Sequence, residues 1–211
     1  MSTAVSHHPA PAKRLYDFVE FLDEHRVLAQ LLLDAAAEKA GRKVLRLKAG
    51  DPTIFARLDE ELTALEEVGI ASQIIPGITA ASAAAAAIGQ SLTQRGRNTS
   101  VRFLTGHDMK GFADHDWAQL ARPGEVAAVY MGKKSARFVQ GRLIMHGADR
   151  STPVTVIENA SRAAERVLET TLDRLPADLA DADLSGPALT FLGLAPRQSR
   201  AALADLNMEL A

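Results

Sequence analysis

Apolar residues in the first half of the chain recur with the periods of alternating helices and strands. Helical spacing predicts helices at 15–24, 27–39 and 58–68, and a helix of almost pure alanine at 79–88. Short apolar runs predict strands at 43–48 and 72–75, each followed by a turn of small residues. This alternation is typical of an α/β protein with mostly parallel strands.

The second half of the chain carries more strands than helices. Strands are predicted at 100–104, 125–130, 153–157, 166–171 and 188–192, helices at 136–146 and 200–210, and a short helix or loop at 175–182. Residues 107–116 indicate a loop that contains Gly and Asp. Because several strands follow one another directly, the sheet of this half is predicted to be mixed.

A basic connector at 94–98 marks the predicted domain boundary. We therefore expect a tail and N-terminal helix at 1–30, a remnant of an N-terminal α/β domain at 31–95, and a C-terminal α/β domain at 96–211.

Composition narrows the classes of function. The chain has 24 Lys and Arg against 26 Asp and Glu, a formal net charge of -2. It therefore lacks the excess of positive charge with which proteins bind the phosphates of a nucleic acid. The small apolar run at 83–88 is too short to cross a bilayer, and residues 1–13 lack a signal-peptide core. We therefore expect a cytoplasmic protein with no membrane partner. The absence of cysteine excludes disulfides, thiolate metal sites and cysteine nucleophiles.

Polar residues that could bind a metal cluster between positions 107 and 116. They are His107, Asp108, Asp114, His115 and Asp116. Their spacing matches no metal-ligand pattern, so we expect no metal and favour a polar loop beside a cleft.

Several longer strings are more specific than these patterns. They are RLKAGDPTIFAR at 46–57, PGITAASAAAA at 76–86, LTQRG at 92–96, SVRFLTGH at 100–107, YMG at 130–132 and PVTVIENA at 153–160. In order and spacing they closely resemble the tetrapyrrole methylase family over about 31–194, in particular its members that methylate uroporphyrinogen III. The resemblance implies a homodimer with the two-domain α/β fold of the family, here with a truncated N-terminal parallel-sheet domain and a mixed-sheet C-terminal domain.

The resemblance also implies a reaction and its site. The reaction is S-adenosylmethionine-dependent methyl transfer to a tetrapyrrole such as uroporphyrinogen III, in sirohaem or cobalamin biosynthesis, with S-adenosylhomocysteine as product. The positions that match the cofactor pocket of the family are Ala49, Gly50, Asp51, Ile54, Thr79, Ala80, Met131 and Ala160. Basic side chains are expected to bind the substrate carboxylates, and the candidates are Arg46, Lys48, Arg95 and Arg102, with Arg97 and Lys110 as further ones.

The sequence also departs from the family pattern. Nothing in it matches the opening Gly-Pro-Gly-Asp turn of the family, or the Asp and Lys given acid–base roles there, so we expect the N-terminal part of the fold to be missing and assign no catalytic residue. Ala49, Ala56 and Ala160 replace family glycines, where an added Cβ would conflict with a positive φ or with close ligand contact. Three interpretations stay open: an active methyltransferase, a degenerate relative that keeps only fold, dimerisation or weak ligand binding, and an ordinary member whose start was placed too late.

Overall fold

A computed structural model describes Gly41 and residues 44–197 of the chain. The chain divides into two compact units, residues 1–76 and 77–211. The predicted helices at 15–24, 27–39 and 200–210 lie outside the described residues. The domain limits expected at 30 and 95 stay predictions.

The first unit contains helix α1 (Leu58–Glu67), which confirms the helix predicted there. The acidic first turn of α1, residues 59–61, suits the positive end of the helix dipole. Gly69 lies two residues past the end of the helix; its φ of 73° is readily adopted by glycine, and its N–H donates to the carbonyl of Glu66.

The two strands predicted in this unit are wrong. Residues 44–48 and 72–75 form no strand and join no sheet in the described part of the chain. Large apolar side chains in these segments, such as Leu45 and Ile75, are exposed. An apolar run favours an extended chain, but a strand also requires a neighbour whose N–H and C=O groups pair with it.

The second unit begins with helix α2 (Ala80–Ala87) and continues into a sheet of five strands. In spatial order the strands are β1 (Arg102–Thr105), β4 (Ala127–Tyr130), β7 (Ala188–Leu192), β5 (Pro153–Glu158) and β6 (Arg166–Thr171). Strands β1 and β4 are parallel and the other neighbours are antiparallel, so the predicted mixed sheet is confirmed.

Between β1 and β4 the chain forms elements that the sequence did not predict. A short hairpin joins β2 (His107–Asp108) to β3 (Gly111–Phe112), and a one-turn helix, α3 (Trp117–Leu120), follows it. A longer helix, α4 (Ala136–Met145), matches the predicted one, and residues 175–182, expected to be a short helix or loop, form helix α5 (Leu175–Ala182).

Alternation along the strands divides the core of the second unit between two faces of the sheet. Val129 and Val156 face a cluster that includes Leu143 of α4 and Leu175 of α5. On the opposite face, residues of β4 and β7 pack against buried alanines of α2, and the cluster consists of Ala81, Ala84, Ala85, Ile88, Val126, Ala128, Ile157, Leu189, Phe191 and Leu194. The small side chains of α2 allow its backbone to approach the sheet closely.

The strand directions determine where a site can form. Strands β4 and β5 are each antiparallel to β7, and β1 is parallel to β4, so these three strands share one direction. Their carboxyl ends, at Thr105, Tyr130 and Glu158, therefore meet at one edge of the sheet, which we call the carboxyl edge. Among the described residues, no helix is long and apolar enough to span a membrane.

Candidate functional site

Tyr130, at the end of β4, anchors the N-terminus of α2. Its hydroxyl accepts a hydrogen bond from the Ala81 N–H at 3.1 Å and shares another with the hydroxyl of Thr79. Thr79 precedes the helix but makes no side-chain capping bond to it, so the tyrosine supplies the acceptor that an N-cap residue would give. These contacts hold Thr79 and Ala80 beside the end of β4.

Met131 follows Tyr130 directly after the end of β4. Its φ is 56°, a left-handed value that is unfavourable for a residue with a Cβ, so its surroundings must maintain it. The side chain is 53% exposed. Met131 therefore presents an adaptable apolar surface on a constrained backbone.

The end of β5 is tied to the turn at residues 184–187. The buried carboxylate of Glu158 accepts a hydrogen bond from the Gly186 N–H and lies 3.7 Å from a guanidinium nitrogen of Arg166. The Asn159 N–H donates to the carbonyl of Pro187 at 2.9 Å. This turn thus fixes the backbone that leads into Ala160, which is half-buried against the α2 side of the sheet.

Lys133, which follows β4, bonds to the same turn. Its ammonium donates to the carbonyls of Leu184, at 2.7 Å, and Gly186, at 2.5 Å. Glu158, the last residue of β5, and Lys133, which follows β4, therefore both bond to one turn at the carboxyl edge.

Four of the predicted cofactor residues lie along this edge of the second unit. They are Thr79, Ala80, Met131 and Ala160. Sequence reasoning missed the side chains that support them, Tyr130, Lys133 and Glu158, although each lies within or beside the YMG and ENA strings. Their proximity to those motifs was the available signal.

The other predicted cofactor residues form a tight turn in the first unit. The Asp51 carboxylate accepts hydrogen bonds from the backbone N–H of Thr53, at 2.8 Å, and from its hydroxyl, at 2.5 Å. The Ile54 N–H donates to the Asp51 carbonyl at 3.3 Å, and Gly50 has a φ of 74°. Ala49 precedes this turn and is exposed.

The conflict predicted between the replacement alanines and a positive φ is wrong. Among the described residues, positive φ values fall on neighbours such as Gly50, Phe55, Arg57 and Asn159, and not on Ala49, Ala56 or Ala160. The methyl groups of these alanines therefore add no backbone strain.

Two of the predicted substrate-binding cations form ion pairs within the first unit. Glu61, only 4% exposed, lies 2.6 Å from the Arg46 guanidinium and 2.7 Å from the Lys48 ammonium. Burial raises the pKa of Glu61, but the hydrogen bonds from the two cations outweigh it and hold the pKa below its usual value. Arg46 and Lys48 thus neutralise a buried carboxylate, and their binding of substrate stays a prediction.

The remaining predicted cations lie in the second unit. Arg102 begins β1, about 10 Å along the strand from Thr105, and pairs with Glu125 at 3.4 Å. Arg97 donates to the Ser91 carbonyl at 2.7 Å. Arg95 and Lys110 are exposed. Arg102 therefore lies at the amino end of β1, whereas Met131 lies at the carboxyl edge, where the strands end.

The polar cluster at 107–116 is bonded mainly to its own neighbourhood. The Asp114 carboxylate accepts from the Trp117 indole N–H at 2.6 Å, which with the nearby Arg142 lowers the pKa of Asp114. The His115 imidazole bonds the Thr105 carbonyl at 2.9 Å, and the Asp116 side chain caps α3. In the described part of the chain, no group of three or more such side chains could hold a metal ion.

Comparison with known proteins places the chain in a family. The family model for Tetrapyrrole (Corrin/Porphyrin) Methylases matches residues 5–176. The family match begins at residue 5, whereas the resemblance of the motifs begins at about position 31. A siroheme synthase from Azotobacter vinelandii is 44% identical over 164 residues, which cover 78% of this chain and 35% of the relative. The chain thus spans about a third of the length of that curated relative.

Solved structures agree with the sequence relatives. Uroporphyrin-III C-methyl transferase from Thermus thermophilus, complexed with S-adenyl homocysteine, has a TM-score of 0.67 and 29% identity, covering 80% of this chain and 72% of that one. The native form of that enzyme gives a TM-score of 0.70 at 28% identity, with coverage of 84% and 77%. The family match over most of the sequence, together with these relatives, shows that the chain belongs to the tetrapyrrole methylases.

Proposed function

We propose that the chain binds S-adenosylmethionine and catalyses methyl transfer to a tetrapyrrole such as uroporphyrinogen III, on a route to sirohaem or cobalamin. The observation that carries this proposal is the carboxyl edge, where Thr79, Ala80, Met131 and Ala160 lie on a backbone held by part-buried hydrogen bonds. Siroheme synthase and uroporphyrin-III C-methyl transferase, which this chain resembles, support the choice of substrate class.

The residues at the carboxyl edge fit the cofactor. Ala80 and Ala160 have small side chains, which leave room for a ligand, and the start of α2 offers the positive end of a helix dipole to a carboxylate. The half-exposed Met131 offers a polarizable apolar surface to an adenine ring. When bound, the cofactor supplies an electrophilic methyl group on a sulfonium. The turn at 49–54 of the first unit stays a predicted cofactor-binding segment.

The protein contributes alignment to this reaction. Methyl transfer requires the sulfonium methyl and the accepting pyrrole carbon to be in line, and fixed loops restrict both reactants to that geometry. The hydrogen bonds that Glu158 and Lys133 direct to the 184–187 turn restrict the backbone on which Ala160 lies. The exposed Arg95 supports binding of a substrate carboxylate, because an Arg can hold it through two N–H groups.

A second candidate function is ligand binding without turnover. It is favoured by the ion pairs of Arg46, Lys48 and Arg102, which are three of the six cations predicted to bind substrate. Such a protein would retain S-adenosylhomocysteine or S-adenosylmethionine and transfer no methyl group.

One pair of measurements tests both candidates. Calorimetric titration with S-adenosylhomocysteine measures binding, and anaerobic incubation with S-adenosylmethionine and uroporphyrinogen III, followed by mass spectrometry, measures methylated product. Binding together with product is the expected result. Binding without product supports the second candidate function. Absence of both binding and product overturns both candidate functions.

We further propose that the protein acts as a homodimer in the cytoplasm. The exposed apolar side chains of the first unit support the dimer, because a monomer rarely leaves such a set in water. The lack of cysteine is compatible with a reducing compartment.

A further inference from the structure

His107 lies beside Met131 because the two strands that precede them are parallel neighbours. Thr105 pairs with Tyr130 in the ladder, and the Gly106 N–H donates to the Tyr130 carbonyl at 2.7 Å. One residue further on, His107 Nδ1 lies 3.3 Å from the Met131 carbonyl oxygen. A carbonyl only accepts hydrogen bonds, so Nδ1 is the donor in this contact.

The contact acts on a backbone conformation that needs support. Met131 has a φ of 56°, which is unfavourable for a residue with a Cβ. Gly106 packs closely against this backbone, because a Cβ at that position would lie 2.7 Å from the Met131 carbonyl oxygen. The hydrogen bond from His107 fixes the direction of that same carbonyl.

The imidazole of His107 is itself held in place. Its ring meets the edge of Phe112 at 5.0 Å between centroids, and Phe112 stacks on Phe138 at 5.1 Å. The Thr105 hydroxyl donates to the His107 carbonyl at 2.7 Å, which fixes the backbone. The β2–β3 hairpin thus orients Nδ1 toward Met131.

Resting on the proposed function, we infer that His107 is a positioning residue for S-adenosylmethionine: its Nδ1–H holds the Met131 backbone in the left-handed conformation that directs the methionine side chain to the ligand. His107 acts through Met131 and takes no part in the chemical step. The proposed function by itself assigns no role to this histidine.

Three substitutions at position 107 test the inference. In His107→Asn the amide nitrogen is attached to Cγ, as Nδ1 is, so this variant can keep the bond to Met131. In His107→Gln the amide is one carbon further out, and in His107→Ala the donor is lost. Calorimetric titration with S-adenosylhomocysteine should show about five- to tenfold weaker binding for the Ala and Gln variants, and binding within about twofold of the unaltered chain for Asn.

His115→Ala is the matched control. It also removes a hydrogen bond from an imidazole to a backbone carbonyl, but that carbonyl belongs to Thr105 rather than to Met131. We expect His115→Ala to lower the melting temperature about as much as His107→Ala, with unchanged affinity for S-adenosylhomocysteine.

The outcomes separate this inference from the proposed function. If the unaltered chain binds no S-adenosylhomocysteine, the proposed function fails and the inference fails with it. If the unaltered chain binds S-adenosylhomocysteine, and the Asn and Gln variants bind it with the same affinity as each other, only the inference is overturned. That comparison remains decisive even where His107→Ala does not fold.

Discussion

Glu61 is a buried carboxylate shared by two cations of the first unit. Replacing it by Gln removes the charge that Arg46 and Lys48 neutralise, and should lower the free energy of unfolding at pH 7 by about 1–3 kcal/mol. Because the pKa of Glu61 is lowered in the fold, its stabilisation is complete above the usual glutamate pKa and is lost as the pH falls through the lowered value. The difference between the two proteins should therefore shrink in acid.

Urea unfolding of both proteins at pH 7 and at successively lower pH measures this difference. Glu60→Gln is the control, since Glu60 is an exposed neighbour that pairs with Arg57 and should contribute little to stability. Equal urea midpoints for Glu61→Gln and the unaltered chain at pH 7 would contradict the prediction.

Two glycines of the second unit should respond oppositely to alanine. A Cβ at Gly106 would contact the Met131 carbonyl and the Ser135 hydroxyl, so Gly106→Ala should destabilise by about 1–3 kcal/mol. Gly141 lies inside α4, and beyond its chain neighbours and the adjacent helix backbone no atom lies within 4 Å of an added Cβ, so Gly141→Ala should stabilise by about 0.5–1 kcal/mol. Urea midpoints that move in the same direction for both variants would contradict the prediction that the two substitutions have opposite effects on stability.

Among the elements, α2 depends most on small side chains. Ala84 is fully buried against the sheet, so Ala84→Leu should overpack the contact and lower the free energy of unfolding by about 1–3 kcal/mol. Ala86 is exposed on the same helix, and Ala86→Leu should change stability by less than about 0.5 kcal/mol. Urea unfolding measures both variants, and a stable Ala84→Leu protein would show that α2 is loosely packed.

The elements also show what the sequence could predict. Strands β4, β5, β6 and β7 were predicted to within one or two residues, because each is an apolar or β-branched run bounded by turn residues. The segments 44–48 and 72–75 carry similar runs and form no strand, because pairing depends on a neighbour that a local pattern does not specify. The β2–β3 hairpin is too short to give a periodic signal.

The candidate site was predictable in a similar, partial way. The family strings marked Thr79, Met131 and Ala160, and the structure brings these to one edge of the sheet. The supporting contacts of Tyr130, Lys133 and Glu158 join residues from 28 to 53 positions apart, and no sequence period reveals such pairs. The pairing of Arg46 and Lys48 with Glu61 was missed for the same reason.

The whole molecule should form dimers through the apolar side chains of its first unit. In the described part of that unit, Glu61 is the only fully buried side chain, while Leu45, Leu47 and Ile75 are 73%, 64% and 66% exposed. Covering apolar area of this kind contributes about 25 cal/mol per Å², and a second copy of the chain presents a surface of matching character.

Light scattering at micromolar concentration should therefore give about twice the 22.6 kDa mass of one chain. The double substitution Leu45→Glu and Leu47→Glu places charges in the proposed interface and should shift the mass toward one chain, since like charges oppose each other across a symmetric contact. Met145→Glu introduces the same charge at an exposed methionine of the second unit, and should leave the dimer intact. An unaltered chain that is monomeric and well folded by circular dichroism would contradict the dimer. Equal dissociation by the Leu and Met variants would show that the effect of an added charge is not specific to the first-unit side chains, which would contradict the proposed interface.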